Sequence, residues 1–120
     1  MRSAFSLALL IVMLSANAQS VRLLVQSSPL AGFRYGAAAA LWPQLRVGDE
    51  LALVREADNP RDANAVRVEW RGHKLGYVPR RENAAVARAL DSAMALRARL
   101  TRLEEHPNPA RRIGFEVYIE

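Results

Sequence analysis

Residues 53–83 read LVREADNPRDANAVRVEWRGHKLGYVPRREN, and the fold is decided there. Ala65-Val66-Arg67-Val68-Glu69-Trp70 alternates apolar and charged residues, the pattern of a half-buried strand. Before it, Asp58-Asn59-Pro60-Arg61-Asp62-Ala63-Asn64 gathers turn formers: Asn and Asp bond backbone amides two residues on, and Pro fixes φ. After it, Arg71-Gly72 predicts a tight turn into a second strand over Lys74-Leu75-Gly76-Tyr77-Val78, which Pro79 ends. A rigid polar loop pinned between strands is a common way to present binding groups.

Outward from this hairpin, strand patterns recur. Residues 21–26 read as a first strand interrupted by Ser27-Ser28-Pro29, and residues 30–36 as an extended continuation bounded by glycines. The run Ala37-Ala38-Ala39-Ala40-Leu41-Trp42 predicts one or two helical turns stopped by Pro43. A turn at residues 47–50 leads to a strand over 51–56. Residues 82–95 predict the one substantial helix, with Val86, Leu90, Ala93 and Met94 on one stripe. The period then changes to two. Leu96, Ala98 and Leu100 fall on one face of a strand over 96–103, with Arg97 and Arg99 on the other. Residues 106–109 predict a loop and 113–120 a last strand. About six strands and one inserted helix predict a mainly β (β-rich α+β) domain, a small curved sheet or barrel similar to an oligonucleotide-binding fold.

Of the 120 residues, 51% are hydrophobic, enough for one core in one domain. Arg2, the apolar run over residues 4–14 and the small-x-small order Ala16-Asn17-Ala18 match a secretory signal peptide cleaved after Ala18. The expected division is therefore a leader at 1–18 and a single domain at 19–120, periplasmic or secreted. A buried first helix or an uncleaved anchor is the alternative. The apolar run falls short of the roughly 20 residues a bilayer span needs, so no stable membrane insertion is expected once the leader is removed. The chain carries 17 basic and 12 acidic residues, a net charge of +5, and loss of Arg2 leaves it basic. Lys74 is the only lysine. Arginine suits bidentate phosphate or carboxylate recognition, although a GC-rich coding bias produces the same skew. With no cysteine and two histidines, His73 and His106, a disulfide framework and the usual zinc clusters are excluded.

The residue types that could do chemistry are few. Asp58 and Asp62, four apart, could form an acid/base pair or a divalent-ion site, but carboxylates in a Pro-containing loop more commonly bond backbone amides. No glycine-rich phosphate loop opens a helix. No catalytic residues, metal or cofactor are expected. Arg34-Tyr35, Tyr77, Arg80 and Arg81 supply aromatic faces for stacking and guanidinium groups for phosphates, the ingredients of a single-strand nucleic-acid site. The plainer reading leaves the tyrosines at the core edge and Arg80-Arg81 solvated at a helix start.

Gly32-Phe33-Arg34-Tyr35, the linked pattern Glu56-x-Asp58-Asn59-Pro60-x-Asp62-x-Asn64-Ala65-Val66, and Lys74-Leu75-Gly76-Tyr77-Val78-Pro79 together resemble the HIRAN domain, with the match running from about residue 30 to 95. Members are accessory domains of DNA-repair helicase-like proteins or stand alone in bacteria. The resemblance implies a fold similar to the oligonucleotide-binding barrel and capture of a free 3′ end of single-stranded DNA. It implies phosphate contact and base stacking by Arg34 and Tyr35, acceptance of the 3′ hydroxyl by Asp62, a ring near the backbone at Tyr77 and a phosphate contact near Arg80. Arg61 stands where many members have an aromatic residue. Phe115 and Tyr118 are candidates for a further aromatic contact. Zinc and hydrolase chemistry would belong to larger proteins that carry other domains.

The expected function is a non-catalytic module binding single-stranded nucleic acid or another phosphate-bearing ligand. The alternatives are an exported envelope interaction or structural domain for a protein or polysaccharide, and a hydrolase built on Asp58 and Asp62.

Overall fold

A computed structural model describes residues 22–120. Residues 1–21, which include the stretch expected to be a leader, lie outside the described residues. Six antiparallel strands form one curved sheet in the order β1-β6-β5-β2-β3-β4: β1 Leu23–Pro29, β2 Glu50–Glu56, β3 Ala65–Trp70, β4 His73–Tyr77, β5 Leu96–Leu103 and β6 Ile113–Ile119. Helix α1 is Ala38–Leu41 and α2 is Ala84–Asp91. No helix among the described residues is long and apolar enough to cross a membrane.

The bend of the sheet sits in β2. Its first residues pair with β5, Glu50 with Arg99 and Leu51 with Ala98. From Ala52 to Glu56 it pairs instead with β3. One strand thus serves two neighbours, which curls the sheet toward the oligonucleotide-binding type of barrel. The far edges then meet: Ala31 and Tyr77 form an isolated antiparallel bridge, with N–H···O distances of 2.9 and 2.8 Å. Just beyond, the Ala37 N–H donates to Lys74 O at 2.7 Å. Residues 31–37 therefore lie along the free edge of β4 and cover it. The close approach requires a missing side chain, because a Cβ on Gly76 would collide with the Ala31 carbonyl and sit 2.9 Å from Leu30 Cγ. Inside, Leu30, Val66, Val68, Leu75, Val86, Leu100, Ile113, Phe115 and Val117 form a continuous core.

The β3–β4 hairpin turns through Arg71 and Gly72, both at positive φ, as a two-residue turn matched to strand twist requires. β5 occupies the residues expected of it, with Ala98 and Leu100 buried. Four expectations need correction. β1 runs through Ser27-Ser28-Pro29 rather than stopping there. Pro29 occupies the last position of the strand, opposite Gly114, and the buried Ser28 hydroxyl accepts from Gln26 Nε2 at 3.0 Å. Residues 33–35 are not extended: Gly32 at φ 71° turns the chain, and Phe33–Tyr35 form a 3-10 turn closed by Tyr35 N–H to Gly32 O. Pro43 does not stop the helical run, because it sits inside a 3-10 turn over Trp42–Gln44; residues 80–82 and 109–111 form further 3-10 turns. The long helix runs Ala84–Asp91 instead of 82–95, leaving Ala93 and Met94 exposed and off the expected stripe.

Candidate functional site

The seam between the two sheet edges carries a cleft of about 430 Å³. Tyr35, Asp62, Tyr77 and Arg80 line it together with Arg61 and Lys74. Four of the five residues singled out by sequence thus converge from three separate segments. Arg34 is exposed on the same 3-10 turn as Tyr35 but does not line the cleft. Asp58 is exposed and outside it too, so the cleft holds Asp62 without the partner an acid/base pair would need. Phe115 and Tyr118 are not available as contacts. Phe115 is fully buried in the core, and the buried Tyr118 ring lies against the Arg22 and Arg99 guanidinium groups at 5.1 and 5.6 Å.

The loop at 58–64 is stiffened from within. Asn59 Oδ1 accepts from the Arg61 N–H at 2.9 Å and from the Asp62 N–H at 3.3 Å, the Asn turn that its sequence predicts. Asp62 does likewise one step on: Oδ1 accepts from the Asn64 N–H at 3.0 Å. Its other oxygen accepts from Asn83 Nδ2 at 2.8 Å. Asn83 is buried at the helix start, yet its side chain does not cap α2; it is spent on the loop instead. The Asn64 N–H bond is the main cause that holds the Asp62 carboxyl below its ordinary value. Asn83 and the charges of Arg80 and Arg55 add to it against the opposing effect of burial.

Glu56 does not line the cleft but anchors two residues that do, Asn59 and Tyr77. Burial alone would raise its carboxyl, but hydrogen bonds from Asn59 and Tyr77, with the Arg67 and Lys74 charges, outweigh burial and lower it. Its oxygens accept from Asn59 Nδ2 at 3.0 Å, Tyr77 Oη at 2.9 Å and an Arg67 guanidinium N–H at 2.9 Å. Lys74 Nζ stands 4.6 Å from the Tyr77 ring centroid, and Gly32 closes on the ring edge. Tyr77 is therefore a fixed wall of the cleft. Tyr35, 84% exposed, is its bare aromatic surface. Arg80 donates one N–H to Arg61 O at 2.8 Å and so keeps most of its five donors.

Lys74, Glu56 and Asn83 were not predicted as site residues. In a regular strand Lys74 and Tyr77, three apart, would face opposite sides. A bulge opposite Val68 and Glu69 adds one residue to β4 and brings both to the same cleft. Glu56 heads the Glu-x-Asp-Asn-Pro motif but lies on a strand, and Asn83 reaches the loop only through tertiary packing.

Comparison with known proteins agrees with this architecture. The crystal structure of a protein from Lactobacillus plantarum is similar, with 28% identity, TM-score 0.72, and 82% of this chain and 94% of that chain covered. The crystal structure of the HIRAN domain of human HLTF has 18% identity and TM-score 0.59, with 81% and 78% covered, and speaks for the shared fold. Among curated proteins no match is found. The HIRAN domain family model matches residues 23–120, well beyond the motif region, and the chain belongs to that family.

Proposed function

We propose that the chain is a non-catalytic module that binds the end of single-stranded nucleic acid, with the terminal nucleotide seated in the cleft against Tyr35. One observation carries the reading: the exposed Tyr35 ring stands in the same cleft as the cations Arg61, Lys74 and Arg80 and the hydrogen-bonded carboxylate of Asp62. A base stacked on such a ring gains about 1–3 kcal/mol, and Arg80 and Lys74 suit the adjacent phosphate. The Arg61 plane offers a stacking surface where other members carry a ring. Each Asp62 oxygen accepts one internal bond and keeps a lone pair for a hydroxyl donor. A phosphate in place of that hydroxyl would meet like charge. This arrangement supports the preference for a free 3′ hydroxyl that the family resemblance implies.

The test is fluorescence anisotropy with oligonucleotides ending in 3′-hydroxyl or 3′-phosphate. The hydroxyl form is expected to bind at least several-fold more tightly, and Tyr35→Ala to weaken it about 5- to 150-fold, the loss of one stacked base. Equal weak binding to both ends, vanishing at moderate salt, would reduce the interaction to charge attraction.

The leader-like composition of residues 1–18 favours a second reading, an exported domain that uses the fold for a protein or polysaccharide. Alkaline phosphatase fused after Ala18 is active only if exported, and an inactive fusion would remove that reading.

A further inference from the structure

A second depression of about 450 Å³ lies between the end of β1, the Thr101–Arg102 part of β5 and the 109–111 turn. Arg81, Arg102 and Arg111 line it and no acidic residue does. All three are exposed, and none makes an ion pair among the described residues. The contrast lies on the same strand: Arg97 and Arg99 are both paired, with Glu50, Glu120 and Glu116. The charge of this groove is therefore left unneutralised while that of its neighbours is cancelled.

Arg102 is also held in position. Strict alternation along β5 would turn it inward after Leu100. A bulge between Leu100 and Arg102 resets the register, keeping Arg102 outside while Leu103 packs on the core. Its side chain then lies across Gly114: a Cβ there would stand 3.1 Å from Arg102 Cβ and 3.5 Å from Cζ. Gly114 pairs with Pro29 on its other side, so the guanidinium is laid over β6 between the strands that wall the groove.

The groove adjoins the cleft. Arg80 lines the cleft and Arg81 the groove, neighbours on one 3-10 turn with Cα atoms about 3.8 Å apart. That turn is tied to β1 by Gln26 Nε2 donating to Glu82 O at 3.1 Å. At the end of β1 the two depressions lie two residues apart in the chain: Pro29 borders one and Ala31, just past the strand, the other.

We infer that this groove is a phosphate track for the nucleotides preceding the end held in the cleft, so that the strand passes Arg80, then Arg81, then Arg102 and Arg111. The inference rests on the cleft reading, and extends it from a terminal nucleotide to a strand of several. An oligothymidylate of about eight nucleotides, within the range one such barrel covers, is compared with a dinucleotide, both with free 3′ hydroxyls, at several salt concentrations. The octamer is expected to bind the native protein about tenfold or more tightly than the dinucleotide. In Arg102→Gln/Arg111→Gln the advantage should shrink and the slope of log K against log salt should fall by about 1.4, two contacts at about 0.7 each on a single strand. Dinucleotide binding should be unchanged. Arg97→Gln, which removes a paired arginine from the same strand, should leave the slope in place. Equal affinity of the native protein for both lengths, or an unchanged slope in the double variant, would overturn the track and leave the cleft standing. Octamer binding that depends on Arg102 and Arg111 but ignores Tyr35→Ala and a 3′-phosphate would overturn the cleft reading, and with it a track that starts there.

Discussion

The Tyr35 side chain is largely exposed, whereas each Asp62 oxygen already accepts a hydrogen bond. Substitutions at the two positions therefore report different things. Removing an exposed ring should change stability by less than about 0.5 kcal/mol, so lost affinity in Tyr35→Ala is lost contact. Removing the Asp62 carboxylate strands the amide of the buried Asn83, at about 1–3 kcal/mol, and mixes folding with binding. The pH dependence follows from the same bonds. Folding lowers the pKa of both Glu56 and Asp62 from their ordinary values of 4.5 and 3.8, so their stabilisation is fully present above those unfolded values and is lost as pH falls through the folded ones. The urea midpoint should thus drop below about pH 4, and drop less in Glu56→Gln, which is weaker at neutral pH but has one fewer carboxylate to protonate. A Glu56→Gln midpoint that falls as steeply in acid as the native one would refute this role of Glu56.

Helix α2 shows what a single residue type conceals at the scale of an element. Its end is a Schellman motif: Met94 N–H bonds Ala89 O and Ala93 N–H bonds Leu90 O, both at 3.0 Å, with Ala93 at φ 60°. That position usually belongs to glycine. Left-handed backbone costs a non-glycine residue about 1–2 kcal/mol, while glycine gives back part of the difference in unfolded-state entropy. Ala93→Gly should therefore stabilise the protein by about 0.5–1 kcal/mol, read as a higher urea midpoint at constant slope; a lower midpoint would contradict the strain. With alanine there, nothing in residues 82–95 announced a stop, and the helix was expected to run too far. β3, β5 and β6 were legible because alternation is local. The 58–64 loop was legible because Asn59 and Asp62 bond their own neighbours. The 3-10 turn that presents Tyr35, the bulge that redirects Lys74 and the reach of Asn83 to Asp62 depend on contacts between distant segments, which no local pattern encodes.

For the molecule as a whole, the decisive contact is the one that joins the ends of the sheet. Pairing within the sheet links β1 to β6 and β3 to β4 but leaves β4 as an edge; among the described residues it is 31–37 that cover it, through Ala31 with Tyr77 and Ala37 with Lys74. Tyr35 lies between those two attachments, so closure of the fold and presentation of the ring are one structural event. Gly76 controls it. A methyl group there must displace the Ala31 carbonyl and the Leu30 side chain, and overpacking of this kind costs about 1–3 kcal/mol. Gly76→Ala should lower the urea midpoint accordingly and, unlike Ala93→Gly, should also weaken oligonucleotide binding under conditions where the protein remains folded, because relief of the clash moves the Tyr35 turn away from Asp62 and Arg80. Trp42 follows the covering segment and Trp70 lies on β3, so single-tryptophan proteins keeping one or the other report on the seam and on the sheet separately. Their transitions should coincide in the native sequence, as expected of one cooperative unit, and separate in Gly76→Ala with the Trp42 signal lost first. Coincident transitions and native affinity in that variant would show that the seam yields without consequence and that the cleft is held by the 58–64 loop alone.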